Sequence, residues 1–424
     1  MERRSRRHIA GRPRIETRGL TLIELLVVIV IIGLLLGLSI GVFVRLQSGA
    51  SATALQDRLT TAIRATRHHS AAGGPGAFVV LFPPDALDSE SDQLSLPVGG
   101  LQSFRFVPAA AWHCERASSS GQLEGAFGIN GTLRGARFVN GLYGDGIQID
   151  GVDELIYPSP YSDKERLDGK GPLNKKTAAQ KISCVEIPPS SDLNPGLGMH
   201  IELHVRVDRL PLTGTSYLVF REQAYYILVA PDWTVEAGTP NVWVASGIRL
   251  PKGQWSKISF RMDRTAYELR IDDMLAGSYV LSKDPADSYR QALTTGEGPS
   301  LTTGPAGDCR PGGTLFFGNP KSGGMTGVID EIAFYRLEAD DLLRDPDPTG
   351  GFGVDPDQLR IIHFLPDGRL DVRRHSGGVA LWFIRNGKEY PTLISLLGEV
   401  TSSEPVEEGK TVADMRPNGT EESP

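Results

Sequence analysis

A single carboxylate stands at the entrance of a long apolar run in this sequence. Glu24 follows Leu22 and Ile23 and precedes twenty residues, Leu25–Val44, that carry no charge and contain one polar side chain, that of Ser39. An unpaired carboxylate in a helix that enters a membrane is energetically expensive. The chemistry open to such a residue is the neutralisation of a cation in a low-dielectric environment, so Glu24 requires a positively charged partner.

The apolar run has the length of a membrane span. Twenty residues at 1.5 Å per residue make a helix of about 30 Å, the thickness of the hydrocarbon core of a bilayer. Residues 1–19 hold seven arginines against two glutamates in a chain of net charge -7. This asymmetry predicts a single-pass protein of the inner (cytoplasmic) membrane with a cytoplasmic N-terminus. The all-round apolarity disfavours a buried soluble helix. A cleavable secretory signal, with its cleavage site near residues 50–52, stays open as an alternative. The apolar region of such a signal is roughly 7–15 residues long, which is shorter than the run in this chain.

The segment Gly19-Leu20-Thr21-Leu22-Ile23-Glu24 resembles the class III prepilin leader of type IV pilins and type II secretion pseudopilins. The basic leader, Gly19 before an apolar Leu20, Thr21, and Glu24 as the fifth mature residue all agree with that motif. The resemblance implies that prepilin peptidase cleaves between Gly19 and Leu20 and methylates the new amine of Leu20. It also implies that Thr21 and Glu24 serve assembly, with Glu24 neutralising the amine of a neighbouring subunit.

The elements that must position this segment begin with a long helix. Residues 1–19 are the predicted leader, and residues 20–72 are the predicted transmembrane and amphipathic pilin helix. Leu55, Leu59 and Ile63 continue the helical spacing beyond the apolar run, and the glycines and proline at 73–76 end it.

From about Gly121, short apolar runs separated by Gly, Asp, Asn and Pro indicate an all-β sandwich. The segment 199–207 alternates strictly between apolar and polar positions. Residues 121–345 resemble the LamG-like, concanavalin A-like jelly roll. The resemblance rests on the segment 199–207 and on a glycine-rich opening at 138–151, a Gly-x-Trp strand at 252–260, a strand pair at 267–277 and a closing strand at 327–335. In this fold we expect Trp243 and Trp255 to fill the core and Trp233 to lie at a turn.

Strand texture resumes after a linker rich in Pro and Gly at 345–351. A strand and Pro-Asp-Gly turn at 359–369, strands at 379–384 and 392–400, and the closing Gly398-Glu399-Val400 resemble the C-terminal sheet of H-type minor pseudopilins. Residues 346–400 are therefore predicted to complete a pseudopilin head begun by 73–120, and the acidic residues 401–424 to form a disordered tail.

The expected fold class is α+β and pilin-like, with a long N-terminal helix plus an antiparallel sheet. The large all-β concanavalin A-like jelly roll is expected to be inserted into a loop of the head, because surface loops tolerate insertion. A tandem arrangement of the two parts stays open as the alternative.

Candidate chemistry in the sandwich is sparse. The Glu-x-Asp-x-(x)-Glu strand of glycoside hydrolases is absent, and Asp330 and Glu331, as neighbours on a strand, face opposite sides. We therefore expect no enzymatic activity. The resemblance to LamG-like domains implies that the sandwich binds Ca²⁺. The candidate residues to coordinate the ion are Asp145, Asp150, Asp153 and Asp330. Solvated turn carboxylates are the alternative.

The three cysteines lie outside the cytoplasm on this topology, where disulfides are permitted. Cys184 and Cys309 both fall in the jelly roll and are the candidate pair, with Cys114 left over. Three free thiols stay open as the alternative.

These features predict a non-enzymatic structural subunit, a pseudopilin or minor pilin of a type II secretion or type IV pilus machine. Its expected partners are prepilin peptidase, other pilins or pseudopilins, the inner-membrane assembly platform, and a glycan or protein ligand of the jelly roll. The acidic balance argues against nucleic acid. The alternatives are a membrane-anchored adhesin or carbohydrate-binding protein that does not polymerise, and a surface glycosidase. Replacement of Glu24 distinguishes the filament subunit from the anchored protein, because it should block filament assembly and leave a membrane anchor unaffected.

Overall fold

The computed structural model describes residues 52–72, 74–82, 96–98, 100–116, 121–151, 182–211, 215–281, 289, 312–321, 323–341, 343–344, 352–354, 361–385 and 387–407. The chain divides after Leu55, and the description below concerns the unit that begins at Gln56. The predicted leader, the apolar run and most of the predicted tail lie outside the described residues.

One helix and twenty-five strands are described. The helix α1 spans residues 52–71. The first strands in chain order are β1 (Ala77–Phe82), β2 (Leu96–Val98), β3 (Gly100–Trp112), β4 (Gln122–Leu123), β5 (Gly131–Arg134), β6 (Arg137–Asn140), β7 (Asp145–Asp150), β8 (Ser183–Ile187), β9 (Gly198–Arg209), β10 (Ser216–Arg221), β11 (Tyr225–Val229), β12 (Thr234–Gly238) and β13 (Trp243–Arg249). A short 3-10 turn, Ser191–Leu193, precedes β9.

The remaining strands are β14 (Trp255–Asp263), β15 (Ala266–Ile271), β16 (Met274–Val280), β17 (Leu315–Asn319), β18 (Thr326–Ala339), β19 (Leu343–Arg344), β20 (Phe352–Val354), β21 (Ile361–Phe364), β22 (Val379–Arg385), β23 (Lys388–Ile394), β24 (Val400–Ser402) and β25 (Val406–Glu407). Every pairing between these strands is antiparallel.

The strands form three sheets. The large sheet has the order β16-β15-β14-β9-β18-β3-β1-β21, with β19 paired to β3, β7 paired to β18 and β6 paired to β7. The second sheet has the order β13-β12-β11-β10-β17-β8-β5-β4. The third is a smaller sheet in the order β2-β20-β22-β23-β24, with β25 beside β23.

A shared hydrophobic core joins the large sheet to the second sheet. Alternation along β9 places Met199 and Ile201 in this core, where they join Ile227 of the second sheet, and turns His200 and Glu202 to the opposite face. Two antiparallel sheets that bury their inner faces against each other make a β-sandwich. The predicted all-β sandwich is confirmed at this level.

The tryptophans do not follow the prediction throughout. Trp243 is 53% exposed, so the expectation that it fills the core is wrong. It opens the edge strand β13, where alternation turns Val244 inward instead. Trp233 is partly buried against the core. Trp255 is partly buried with the guanidinium of Arg206 over its ring, 5.6 Å from the centroid.

Strand β3 pairs with β1, β18 and the short strand β19. Residues 100–105 pair with β1, and residues 104–112 pair with β18 of the sandwich. Because β1 also pairs with β21, the large sheet runs without interruption from the sandwich to the strands that the sequence assigned to the head. Trp112 lies in the head range 73–120 of the sequence division, yet it is buried in the sandwich core.

Helix α1 is amphipathic, as the sequence predicts for this part of the chain. Leu59 and Ile63 are fully buried, whereas Arg58 is exposed. Within the described ranges no helix combines the length and the apolarity needed to cross a membrane. The predicted span over Leu25–Val44 is not among those ranges.

Candidate functional site

The predicted processing and assembly residues, Gly19, Leu20, Thr21 and Glu24, lie outside the described residues. Their geometry is therefore not part of the site described here, which consists of the helix contact, a charged cleft and the surroundings of Asp330.

Helix α1 is held to the smaller sheet by donors on its side chains. Gln56 Nε2 donates to the carbonyl oxygen of Pro391 at 2.9 Å. Arg64 donates twice to the carbonyl of Val400, from Nε at 3.2 Å and from Nη2 at 2.7 Å. Both acceptors are backbone oxygens, so the contact depends on the course of β23 and β24 rather than on their side chains.

The same helix is also held to the large sheet. Thr66 Oγ1 and Ser103 Oγ lie 2.7 Å apart in a buried hydrogen bond. Ser70 Oγ donates to the backbone oxygens of Phe364 and Leu365, at 3.2 and 2.5 Å. A side chain that fills a buried hydrogen bond is costly to remove, so these contacts fix the position of residues 56–71 on the sheets.

A cleft of about 610 Å³ opens on the polar face of the large sheet, opposite the sandwich core. Strands β9, β14 and β15 supply one wall and the segment 363–371 supplies the other. We call it the charged cleft; it is lined by Gly74, Pro75, His200, Glu202, Lys257, Ser259, Arg261, Glu268, Arg270, Asp273, His363, Phe364, Leu365, Pro366, Asp367, Arg369 and Asp371.

An ion pair joins Glu268, which lines the charged cleft, to Arg374. Arg374 Nη2 contacts Glu268 Oε1, which joins the segment after β21 to sandwich strand β15. Burial of Glu268 opposes its ionisation, but the guanidinium groups of Arg261 and Arg374 outweigh burial and lower its pKa to about 2. Arg374 Nε also lies 3.7 Å from Asp371 Oδ2. We call the Glu268–Arg374 pair the latch.

A second polar group lies further along the cleft. His200 Nε2 lies 2.9 Å from Glu202 Oε1, and Lys257 Nζ lies 3.5 Å from the same oxygen and 3.2 Å from Asp273 Oδ1. Burial lowers the pKa of His200, so its ring is neutral at pH 7 and donates from Nε2. Burial opposes ionisation of Glu202, yet this hydrogen bond and the charge of Lys257 lower its pKa to about 2.

Two neutral histidines lie next to the latch. The backbone N–H of His363 donates to Nε2 of His375 at 3.1 Å, and Nε2 of His363 lies 3.2 Å from Arg374 Nη1. Each Nε2 is therefore an acceptor. Burial, and after it the charge of Arg374, lowers the pKa of His363 well below its usual value. Burial likewise lowers the pKa of His375.

Three carboxylates of the cleft, those of Glu202, Glu268 and Asp371, are held in the ionised form. Glu202 and Glu268 have a pKa of about 2. Burial opposes ionisation of Asp371, but hydrogen bonds from Arg373 lower its pKa below the usual range. A general acid needs a carboxyl group of raised pKa. These three groups are therefore suited to holding cations and hydrogen-bond donors, not to donating protons.

The candidate calcium residue Asp330 is fully buried and holds a loop. Its Oδ2 accepts from the backbone N–H groups of Leu142 at 2.7 Å and Tyr143 at 3.1 Å, and its Oδ1 accepts from Glu331 N at 2.8 Å. A Cβ on Gly141 would lie 2.5 Å from Asp330 Oδ2. Only glycine fits at this close approach between loop and carboxylate.

The other calcium candidates are only partly brought together. The backbone oxygen of Asp145 would lie 2.7 Å from a Cβ placed on Gly141. The carboxylate of Asp145 lies 3.9 Å from the guanidinium of Arg116. Asp150 pairs with Arg137 at 3.5 Å, and Asp153 is not among the described residues. Within the described part of the chain no three His, Cys, Asp or Glu side chains form a metal-binding group. The calcium site stays a prediction.

The described cysteines are buried thiols. Cys114 and Cys184 are both free, and Cys309 falls outside the described ranges. Burial raises the pKa of Cys184 to about 11, which keeps this thiol protonated and unreactive at neutral pH. The pairing of Cys184 with Cys309 stays a prediction that nothing in the described residues supports.

Sequence reasoning did not identify the charged cleft. The polar positions of β9, among them His200 and Glu202, were visible as the outward half of a strict alternation, and that is the signal that points to a polar face. Their partners come from distant parts of the chain, Glu268 and Arg374 being 106 residues apart. No local spacing brings such residues together.

Residues 16–40 match the family model described as the prokaryotic N-terminal methylation motif. The match includes Gly19, Leu20, Thr21 and Glu24. It confirms a prepilin-type, pilin-like N-terminus of the kind that prepilin peptidase processes. No curated protein sequence matches this chain.

Several solved structures share part of the architecture at low similarity. Domain 4 of AbnA, an extracellular arabinanase from Geobacillus stearothermophilus in complex with arabinotriose, is 16% identical with a TM-score of 0.35, covering 57% of this chain and 96% of that one. The binding domain of Paraclostridial Mosquitocidal Protein 1 is 11% identical with a TM-score of 0.36, covering 57% and 50%. Trypanosoma rangeli sialidase with the inhibitor DANA is 11% identical with a TM-score of 0.34, covering 53% and 30%. The chain thus spans half or less of the last two proteins. At these TM-scores the likenesses carry no inference about function.

Proposed function

We propose that this protein is a non-enzymatic pilin-like subunit that prepilin peptidase matures and that assembles, through its N-terminal helix, into a type II secretion pseudopilus or a type IV pilus. The β-sandwich is then the part of the subunit that the filament displays. The observation that carries the proposal is the methylation motif over residues 16–40, which contains a lone carboxylate at the start of an apolar run.

The assembly step depends on Glu24. Cleavage after Gly19 would create a cationic amine at Leu20, and Glu24 of an adjacent subunit would neutralise it among packed apolar helices. A buried ion pair adds little net stability, but it fixes register between helices because a misaligned helix leaves both charges unpaired. The protein would reside in the inner membrane with residues 1–19 cytoplasmic before cleavage.

The described contacts of α1 support this assignment. A long helix whose second half packs on a globular head is the plan of the pilins that the N-terminal sequence resembles. Gln56, Arg64, Thr66 and Ser70 bind α1 to two different sheets. We further propose that the sandwich is inserted into the pilin-like head, because β1 precedes it and β21 follows it in the chain, yet these two strands pair with each other.

The proposal is tested on the full chain purified from its native membrane. Intact mass and N-terminal sequencing should find an N-methylated Leu20. Filament recovery should be lost in Glu24→Gln, which keeps the size of the side chain and removes its charge. The matched control is Glu16→Gln, which changes a carboxylate in the leader that cleavage removes.

The outcomes separate the alternatives. An intact Met1, with filaments unaffected by Glu24→Gln, would replace the proposal with an anchored adhesin or carbohydrate-binding protein that does not polymerise. An N-terminus near residues 50–52 would instead indicate an ordinary secretory signal. Turnover of a polysaccharide that a carboxylate substitution abolishes would contradict the non-enzymatic assignment.

A further inference from the structure

The charged cleft contains a row of three different polar groups from neighbouring strands. In the register of the large sheet, Ser259 of β14 lies directly between Glu202 of β9 and Arg270 of β15. All three side chains line the cleft. Because neighbouring strands lie about 4.8 Å apart, the row brings a carboxylate, a hydroxyl and a guanidinium together on strands that span about 10 Å. The cleft volume of about 610 Å³ is within the range of small-molecule sites, about 300–1,000 Å³.

The hydroxyl in the middle of the row is a buried polar group without a partner. Ser259 is 5% exposed, yet its Oγ makes no hydrogen bond with any residue that the structure describes. Buried hydroxyls are normally hydrogen-bonded, because an unsatisfied one bears the full cost of its desolvation. A ligand in the cleft would supply the missing partner.

The guanidinium at one end of the row lacks a close carboxylate. Three neighbouring guanidinium groups each contact a carboxylate oxygen, those of Arg261, Arg373 and Arg374 with Asp263, Asp371 and Glu268. Arg270 Nη2 lies 3.7 Å from Glu268, which Arg374 already contacts, and Arg270 Nη1 lies 3.4 Å from the backbone oxygen of Asp273. Four guanidinium groups thus share three carboxylates. The forked donors of Arg270 suit the carboxylate of a ligand.

The carboxylate at the other end of the row offers an acceptor. Oε1 of Glu202 lies 2.9 Å from His200 Nε2 and 3.5 Å from Lys257 Nζ. Its Oε2 has no partner within the described ranges. A ligand hydroxyl can donate to this oxygen, whereas a second negative charge would be repelled by it.

We infer that the charged cleft binds a hydroxylated carboxylate, that is, a sugar acid, with its carboxylate on Arg270 and Ser259 and a ring hydroxyl on Glu202. A neutral sugar would leave Arg270 without a counter-charge, and a dicarboxylate would place a negative charge beside Glu202. The site lies wholly outside the N-terminal helix. The inference therefore holds for an assembled subunit and for an anchored protein alike, and does not rest on the proposed filament.

The inference is tested by isothermal titration calorimetry of the full-length protein in detergent micelles, with glucuronate as the probe. Glucose carries the ring hydroxyls without the carboxylate, and succinate carries carboxylates without hydroxyls. Glucuronate should bind at least tenfold more tightly than either, because only glucuronate matches both ends of the row. Equal affinity for glucuronate and either analogue would overturn the inference, and so would preferential binding of an acidic peptide, polyglutamate.

Substitutions locate the binding site. Arg270→Gln should weaken glucuronate binding at least tenfold without changing that of glucose, and Ser259→Ala should weaken it several-fold. Glu202→Gln should weaken the binding of glucuronate but not that of succinate, since it removes a hydroxyl acceptor and a repelling charge together.

Arg249→Gln is the matched control, because Arg249 is an exposed arginine of β13 that does not line the cleft. Circular dichroism verifies folding. Arg270→Lys, which keeps the charge and removes the fork, replaces Arg270→Gln if that variant fails to fold. Unchanged glucuronate affinity in the Arg270 and Ser259 variants, or an equal loss in Arg249→Gln, would overturn the inference.

Discussion

Glu268→Gln tests whether the latch holds the sandwich to the segment that follows β21. The carboxylate loses its charge while its size is kept. Its pKa of about 2, against an ordinary 4.5, corresponds at 1.36 kcal/mol per unit to about 3 kcal/mol of stabilisation. The side chain is only 11% exposed, so solvent screening reduces this figure little. The loss of one partner from a buried ion pair costs a similar amount, roughly 3–5 kcal/mol.

The measurement is urea unfolding of the full chain at pH 7, followed by circular dichroism. The matched control is Glu338→Gln, because Glu338 pairs with Arg336 at 2.6 Å where both side chains are more than a third exposed. Exposed pairs contribute about 0–1 kcal/mol. Hydrogen exchange over 361–375 should also become faster in Glu268→Gln, since the latch is the contact that ties this segment to β15.

The pH dependence of the difference provides a second check. Glu268 has a depressed pKa in the folded protein, so its contribution is complete above pH 4.5 and is lost as the pH falls towards 2. The difference between the unsubstituted protein and Glu268→Gln should therefore shrink across that window. Equal stability losses in Glu268→Gln and Glu338→Gln at pH 7 would refute the reasoning.

Three further predictions concern the described residues. Burial depresses the pKa of His363 well below 6.5, so its contribution to the free energy of unfolding is complete above pH 6.5 and is lost below it. The free energy of unfolding should therefore fall between pH 6.5 and 5 by up to about 1.4 kcal/mol per pH unit. His363→Asn should reduce this slope in denaturant titrations. Thr66→Val should destabilise by about 1–3 kcal/mol, since it leaves the buried hydroxyl of Ser103 without its partner, whereas the exposed Thr61→Val should cost about 0.5 kcal/mol or less in thermal unfolding. Gly398→Ala should lower the free energy of unfolding by more than about 2 kcal/mol, since φ is +77° and a Cβ would lie 2.0 Å from the backbone oxygen of Gly368. Gly128 also has a positive φ but lies in open space, so Gly128→Ala measures the part of that loss that comes from the backbone conformation alone.

Periodicity in the sequence was a good guide to the sandwich. The strict alternation of 199–207 reappears as β9, and the strand pair at 267–277 reappears as β15 and β16. The two strands are joined by Asp272 and Asp273 with φ of 50° and 62°, the left-handed conformations of a two-residue hairpin turn. Aspartate tolerates this region better than most residues, which explains how the turn forms without glycine.

Side-chain burial at the sheet edges was less predictable. Trp243 was expected in the core, but its strand is the last of its sheet and its position faces outward. Sequence alternation tells which residues share a face. It does not tell which strand ends up at an edge, because that depends on pairings between residues far apart in the chain.

The path of β3 has a consequence for how the sandwich would be displayed. If the sandwich hung from the head by a flexible linker, its orientation would vary among subunits. Instead, residues 100–105 lie beside β1 while 104–112 lie beside β18, and Ser103 bonds to Thr66 on α1. Hydrogen bonds thus lead from residue 66 of the helix through one strand into the sandwich, so the sandwich is held in one orientation on this part of α1. Breaking the Thr66 contact should loosen that orientation before it unfolds the sandwich, because no described residue of the helix belongs to the sandwich core.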